Sequence, residues 1–136
     1  MTYQAVHYRD RDGREPVGDA IDRLSPTCQD SVDWMIGLLN ALSDANPHLG
    51  YPHSSQIRGK DFREFRELRA DCGRTHHRIL FRRSGRLFIL LHIVVNKRGE
   101  LPAADKQIAL DRWRDFVARM DAKPRGNPRA IGHDAP

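Results

Sequence analysis

The segment from Leu87 to Val95, LFILLHIVV, is apolar at every position except His92. A continuous apolar run of this length is typical of a central strand in a sheet. It follows THHRILFRR (residues 75–83), which also has the composition of a strand. The Ser84-Gly85 pair between them predicts a tight hairpin turn. Any fold of this chain must therefore be built around this hairpin.

The other segments give the order of elements around the hairpin. Pro16 and Pro26 each suit the first position of a helix, and Ser25 is a good N-cap for the second one. The predicted elements are a strand at 2–9, helices at 16–24 and 25–44, a short strand at 55–59, a strand at 63–70, the hairpin, and a helix from Pro102 to Met120. This order predicts an α+β domain with a mostly antiparallel sheet of four or five strands. We expect two N-terminal helices and one C-terminal helix on one face, which leaves the opposite face open for a site.

The chain length of 136 residues is normal for one domain. We expect the domain to span residues 1–121. Residues 122–136 contain three prolines, two glycines and one large apolar residue, which predicts a disordered tail.

The charge is basic and unevenly distributed. The formal net charge is +5, and residues 56–100 contain twelve Lys and Arg against five Asp and Glu, a net of +7. Basic charge therefore coincides with the predicted strands, which favours an anionic partner without identifying it.

The chain start, MTYQAVHYRD, lacks the apolar region of a signal peptide, and no apolar run is long enough to span a membrane. Cys28 and Cys72 do not have the spacing of a metal site. We therefore expect a cytoplasmic protein with reduced thiols and no membrane association.

Basic and imidazole side chains converge on the predicted sheet. Strict alternation places His92 on the face of Phe88 and Leu90, and the two preceding strands contribute Arg78 and Arg69. Such a set suits RNA cleavage without a metal, because arginine binds two phosphate oxygens and histidine transfers protons near neutral pH. Two simpler interpretations stay open: His92 is a packed core residue, and the arginines form a solvated face. We expect no metal and no cofactor.

Four segments resemble the RelE/HigB superfamily of toxins, in its phage-derived HigB-like branch. They are YRDRDGREPVGDAIDRL, LGYPHSSQIRG, FRELRADCGRTHHRILF and LLHIVVNKRGELP, and the resemblance covers roughly residues 3–117. It implies a RelE-like fold and the toxin of a type II toxin–antitoxin system. Such toxins are generally metal-independent endoribonucleases that cut mRNA on the ribosome and inhibit translation. The partner implied is a helix-turn-helix antitoxin.

The resemblance also implies roles for individual residues. By matching position, the catalytic residues are Arg69, Arg78, His92 and Lys97. The implied RNA-binding residues are Arg58, Lys60, Arg74, His77 and Arg98. Val94, where the pattern of this branch has a phenylalanine, and Asn96 and Glu100, where it has lysines, depart from that pattern. The two lost lysines weaken the terminal basic run.

Two alternative functions stay open. A ParE-like gyrase inhibitor shares the fold but cleaves nothing, and it would leave translation in vitro unaffected. A non-catalytic nucleic-acid-binding module would bind RNA in a salt-sensitive way without cleavage.

Overall fold

A computed structural model describes residues 3–47, 49–50, 53–95, 99–124 and 129–131. In these ranges the strands and α-helices are β1 (Gln4–His7), α1 (Pro16–Asp22), α2 (Pro26–Asn40), β2 (Ser54–Gln56), β3 (Phe65–Cys72), β4 (Thr75–Ser84), β5 (Leu87–Val95) and α3 (Ala103–Asp121). The strand order in the sheet is β1-β5-β4-β3-β2. Only β1 and β5 pair in parallel among these neighbours, so the predicted α+β fold with a mostly antiparallel sheet is confirmed. Among the described residues, no helix is both long and apolar enough to cross a membrane.

The β4–β5 hairpin forms as predicted, with its turn one residue later. Ser84 still belongs to β4 and pairs with Leu87, so the turn residues are Gly85 and Arg86. Gly85 has a φ of 60°, a conformation that glycine adopts without steric cost.

The helix α2 begins as the sequence predicts. Pro26 is its first residue, and the Ser25 hydroxyl accepts a hydrogen bond from the Cys28 N–H at 3.4 Å. Its buried face consists of Val32, Met35 and Leu39. The spacing of three and four residues thus places one side of α2 against the sheet.

The helices cover both faces of the sheet, so the prediction that they share one face is wrong. On one face α1 and α2 form a core with Leu68, Ile79 and Leu90, and on the other face α3 packs against Leu80 and Ile89. The cause is the apolar composition of β5 on both of its sides. The apolar side chains on each side of β5 are removed from water only if a helix covers that side.

A β-bulge interrupts β5 in front of His92. Leu80 pairs with His92, whereas Phe81 pairs with Leu90, so Leu91 is an extra residue. As a result Leu91 and His92 both face α3: Leu91 lies in the core beside α3, and His92 bonds to α3 side chains. Strict alternation predicted opposite faces for these two residues, and this prediction is wrong.

The two cysteines form a disulfide, which corrects the prediction of reduced thiols. Cys28 lies on α2 and Cys72 is the last residue of β3, and their Cα atoms are 5.3 Å apart. Beside this bridge the Ser31 hydroxyl donates to the Asp71 carbonyl at 2.7 Å. The packing of α2 on β3 brings these thiols together, although 44 residues separate them in the sequence.

Removing the disulfide is expected to destabilise the fold. For the double variant Cys28→Ser and Cys72→Ser we expect the free energy of unfolding to fall by about 2–4 kcal/mol, because a long unfolded loop is no longer constrained. Urea unfolding of both proteins, with and without dithiothreitol, measures this. The reductant should destabilise the native protein alone; equal midpoints under all four conditions would show that the bridge contributes nothing.

Part of the predicted tail packs on the domain. Ile131 forms a β-bridge with Tyr8, the Arg9 N–H donates to the Ala130 carbonyl at 2.8 Å, and Ala130 and Ile131 are both buried. These residues cover the end of β1, an edge strand that would otherwise leave backbone N–H and C=O groups unpaired there. The prediction of disorder is therefore wrong for residues 129–131. Residues 125–128 and 132–136 lie outside the described residues, and the domain boundary at 121 stays a prediction.

An ionic cluster joins α3 to the N-terminal segment through Asp115. Its carboxylate accepts hydrogen bonds from the Tyr8 hydroxyl at 2.6 Å, from Arg119 Nη1 at 2.8 Å and from Arg11 Nε at 2.8 Å. Burial alone would raise the pKa of Asp115, but these three donors together lower it below its usual 3.8. Burial, followed by the bond to Asp115, raises the pKa of Tyr8 well above its usual range, so the phenol stays a donor.

The Asp115 cluster predicts a loss of stability in acid. A carboxyl with a lowered folded pKa contributes its stability above the unfolded value near 3.8 and loses it as pH falls through the folded pKa. Asp115→Asn should therefore cost about 1 kcal/mol at pH 7 and less at pH 3. Urea unfolding at both pH values tests this, with the exposed Asp121→Asn as control. A cost for Asp115→Asn that is the same at both pH values would contradict it.

Candidate functional site

An open cleft of about 480 Å³ lies on the α3 side of the sheet. Its walls come from β2, β3, β4, the segment before α3 and the first turns of α3. The lining residues are Ser55, Gln56, Ile57, Arg58, Glu67, Arg69, Arg78, Gly99, Glu100, Leu101 and Lys106. Three of the predicted site residues, Arg58, Arg69 and Arg78, thus come together here. Four cations against two carboxylates give this lining a net charge of +2.

The buried carboxylate of Glu67 organises the cleft. Its Oε1 accepts a bond from Arg69 Nε at 2.7 Å and one from the Ser55 hydroxyl at 3.2 Å. Its Oε2 accepts from Arg78 Nε at 2.8 Å, and Arg78 Nη2 lies 2.7 Å away. Arg69 and Arg78 are direct cross-strand partners, an arrangement that is unfavourable for like charges. Glu67 therefore makes their close approach possible by bonding to both guanidinium groups.

The two arginines differ in exposure. The Arg69 side chain is 41% exposed, whereas that of Arg78 is 11% exposed and also donates from Nη1 to the Gly99 carbonyl at 2.8 Å. Arg69 therefore presents the more accessible guanidinium of the two. Arg78 is fixed behind it between Glu67 and the segment that leads into α3.

Lys106 and Glu67 are site residues that the sequence analysis missed. Lys106 Nζ donates to the Arg58 carbonyl at 2.6 Å and lies 4.7 Å from the centre of the Phe62 ring, which fixes the cation at the rim. The sequence signal for Lys106 was its place in the first turn of the predicted last helix, directly after the basic segment that leads into that helix. For Glu67 the signal was a carboxylate two residues before Arg69 on the same strand face.

His92 lies against α3 and does not line the cleft. Its side chain is 14% exposed, and its Nε2 is 2.8 Å from Asp105 Oδ1. Arg112 Nη1 donates to the Leu91 carbonyl at 2.8 Å and lies 3.3 Å from His92 Nδ1. Because a guanidinium only donates, Nδ1 is the acceptor and Nε2 donates to Asp105. The catalytic role assigned to His92 stays a prediction.

Of the remaining predicted residues, those that the structure describes do not line this cleft. Lys97 and Arg98, like Asn96, lie outside the described residues. Lys60 begins a short 3₁₀ helix and Arg74 lies in a turn; both are exposed, and neither lines the cleft. His77 is buried and pairs with Ala70, which packs on the α1–α2 side of the sheet. Neighbouring strand residues point to opposite faces, so His77 is directed away from Arg78. Among the described residues, no group of three or more His, Cys, Asp or Glu could hold a metal ion.

The fold and the cleft define a class: a small basic α+β protein with an open, positively charged cleft on its sheet. A comparison with protein families extends this, because residues 19–114 match the model of the family described as phage derived protein Gp49-like (DUF891). The match runs from α1 through most of α3, and the chain belongs to this family. It is a family of toxin-like proteins associated with type II toxin–antitoxin systems, which implies an antitoxin partner in general. No curated protein matches the chain significantly.

Proposed function

We propose that this protein is the toxin of a type II toxin–antitoxin system and that it cleaves mRNA on the ribosome without a metal. The observation that carries the proposal is the Arg69–Glu67–Arg78 cluster in an open cationic cleft. Family membership supports the toxin role, while the choice of RNA as substrate depends on the chemistry of the cleft. The proposed partners are a helix-turn-helix antitoxin, the ribosome and mRNA, and the proposed location is the cytoplasm.

The cluster suits stabilisation of a phosphorane-like transition state. When a ribose 2′-OH attacks the adjacent phosphate in line, the phosphate oxygens gain negative charge. A planar guanidinium group binds two such oxygens at once. Glu67 holds the guanidinium groups of Arg69 and Arg78 in place before RNA arrives. Fixed cations that need no reorganisation are most effective at this step. Arg58 and Lys106 at the rim would contact neighbouring phosphates, with Lys97 adding further charge.

The proposal assigns proton transfer to His92. Its Nε2 is bonded to Asp105, so proton exchange with RNA requires the imidazole to leave that carboxylate. Proton transfer by a positioned side chain typically contributes about 10²–10⁴-fold to a rate. Loss of His92 should therefore reduce cleavage strongly without weakening RNA binding.

Primer extension on mRNA from briefly induced cells tests the proposal. We expect discrete cuts within translated regions for the native protein and for Arg114→Ala, an exposed arginine of α3 away from the cleft. Arg69→Ala and His92→Ala should abolish the cuts. Cuts that are lost in Arg69→Ala but persist in His92→Ala would remove His92 from the mechanism and leave the nuclease proposal standing. Growth arrest without any cuts, together with lost DNA supercoiling, would instead indicate a ParE-like gyrase inhibitor.

A second candidate is a non-catalytic RNA-binding module. The placement of His92 against α3, rather than in the cleft, favours it. It predicts RNA binding that weakens with salt, no cleavage, and no effect of His92→Ala.

A further inference from the structure

A second hollow adjoins the cationic cleft at the edge of the sheet. It has a volume of about 480 Å³ and is lined by Ser31, Trp34, Met35, His53, Arg69 and Asp71. Arg69 lines both this hollow and the cleft. The strand β2 ends opposite Leu68, and among the described residues His53 is the neighbour of β3 beside Arg69. The two spaces therefore meet around the sheet edge at Arg69.

The wall of this hollow is an exposed aromatic side chain. Trp34 on α2 is 62% exposed, more than any other large hydrophobic residue among those described. The His53 ring stands edge-on to the indole, with centroids 6.5 Å apart. The Arg69 N–H donates to the His53 carbonyl at 2.8 Å, which ties this aromatic pair to the strand of the cleft.

The charge of the hollow differs from that of the cleft. Asp71, whose side chain is 66% exposed and whose Oδ1 lies 2.6 Å from His76 Nδ1, offsets the charge of Arg69 in the lining of the hollow. The cleft lining instead has a net charge of +2. A phosphate is thus favoured in the cleft and disfavoured beside Asp71. A neutral, flat group is what an exposed indole next to a carboxylate accommodates, and the nucleobases of single-stranded RNA stack on aromatic side chains in this way.

We propose that the Trp34 hollow is a nucleobase subsite, in which a base next to the phosphate at Arg69 stacks on the indole. This inference rests on the proposed function, because it takes single-stranded RNA as the ligand of the cleft. The subsite would hold one base away from its neighbours in the RNA and so set the position of the adjoining phosphate.

Binding of an uncleavable RNA tests the subsite. The probe is a fluorescent single-stranded 2′-O-methyl oligonucleotide, beside the same oligonucleotide with abasic sites, measured by anisotropy with the native protein, Trp34→Phe and Trp34→Ala. Loss of one stacked base should weaken binding of the normal oligonucleotide about 10- to 100-fold in Trp34→Ala. Trp34→Phe should retain most of the affinity. The abasic oligonucleotide should bind Trp34→Ala as it binds the native protein.

Other outcomes separate this inference from the proposed function. Cleavage and RNA binding that are intact in Trp34→Ala would overturn the subsite and leave the nuclease standing. Equal weakening of the normal and abasic oligonucleotides would also overturn it, since the base would play no part. If Trp34→Ala weakens only binding of the purified antitoxin, the hollow is a protein interface and the subsite is wrong. No binding of the normal oligonucleotide by the native protein would overturn the subsite, while primer extension on translated mRNA would decide the nuclease separately. Circular dichroism of both variants checks folding, which substitution of an exposed side chain should preserve.

Discussion

Arg69→Ala is expected to lower the rate of mRNA cleavage about 10²–10³-fold, because it removes the accessible guanidinium that we propose binds the scissile phosphate. The variant should remain folded. Arg69 is 41% exposed, and Glu67 keeps its bonds to Arg78 and Ser55. We therefore expect its free energy of unfolding to fall by only about 1 kcal/mol or less. Single-turnover cleavage of mRNA on purified ribosomes measures the rate directly.

Two further variants make the Arg69 experiment decisive. Arg69→Lys keeps the charge but loses the planar fork, so its rate should lie between those of the native protein and Arg69→Ala. Arg114→Ala removes an exposed arginine outside the cleft and should cleave at the native rate. Native cleavage by Arg69→Ala would place the scissile phosphate elsewhere. Equal losses in Arg69→Ala and Arg114→Ala would indicate general electrostatic attraction only.

Arg78 is a poorer test of the same idea, although the family resemblance implies the same role for it. Its side chain is 11% exposed and bonds both to Glu67 and to the Gly99 carbonyl. Alanine at this position would leave a buried carboxylate with one fewer partner and release the segment before α3. A loss of cleavage in Arg78→Ala would therefore combine a chemical effect with a structural one.

The parts of the fold that depend on local patterns could be predicted from the sequence. The apolar run of β5, the Gly85 turn and the Ser25 cap of α2 each depend on a few neighbouring residues. The bulge at Leu91 could not be predicted, because one extra residue on a strand leaves no mark in an apolar run. Its consequence is large, since it turns His92 toward α3.

The parts that depend on tertiary contacts could be predicted only incompletely. The pairing of Cys28 with Cys72 and the cover that Ile131 gives Tyr8 join residues far apart in the sequence. For the site, the resemblance identified Arg69 and Arg78 as a pair. It did not indicate that Glu67 binds both, because a carboxylate between arginines on a strand is equally typical of a solvated face.

Glu67→Ala is expected to be the most destabilising single change in the cleft. The Glu67 carboxylate is buried and compensates two guanidinium groups that face each other across β3 and β4. Removing one partner of a buried ion pair typically costs about 3–5 kcal/mol, because the remaining charge is left uncompensated. Urea unfolding measures the loss. The matched control is Glu100→Ala, an exposed carboxylate of the same cleft, which should change stability by about 0.5 kcal/mol or less.

A compensating variant separates stability from function at Glu67. Replacing Glu67 by Leu and Arg78 by Met removes the buried charges together, so most of the lost stability should return, as is typical when apolar residues of similar volume replace a buried ion pair. Cleavage should stay abolished, because neither the fixed Arg78 nor the carboxylate that orients Arg69 remains. If Glu67→Ala unfolded at the same urea concentration as Glu100→Ala, the cluster would not be the structural centre of the cleft. If the double variant cleaved RNA, catalysis would not depend on the preorganised pair.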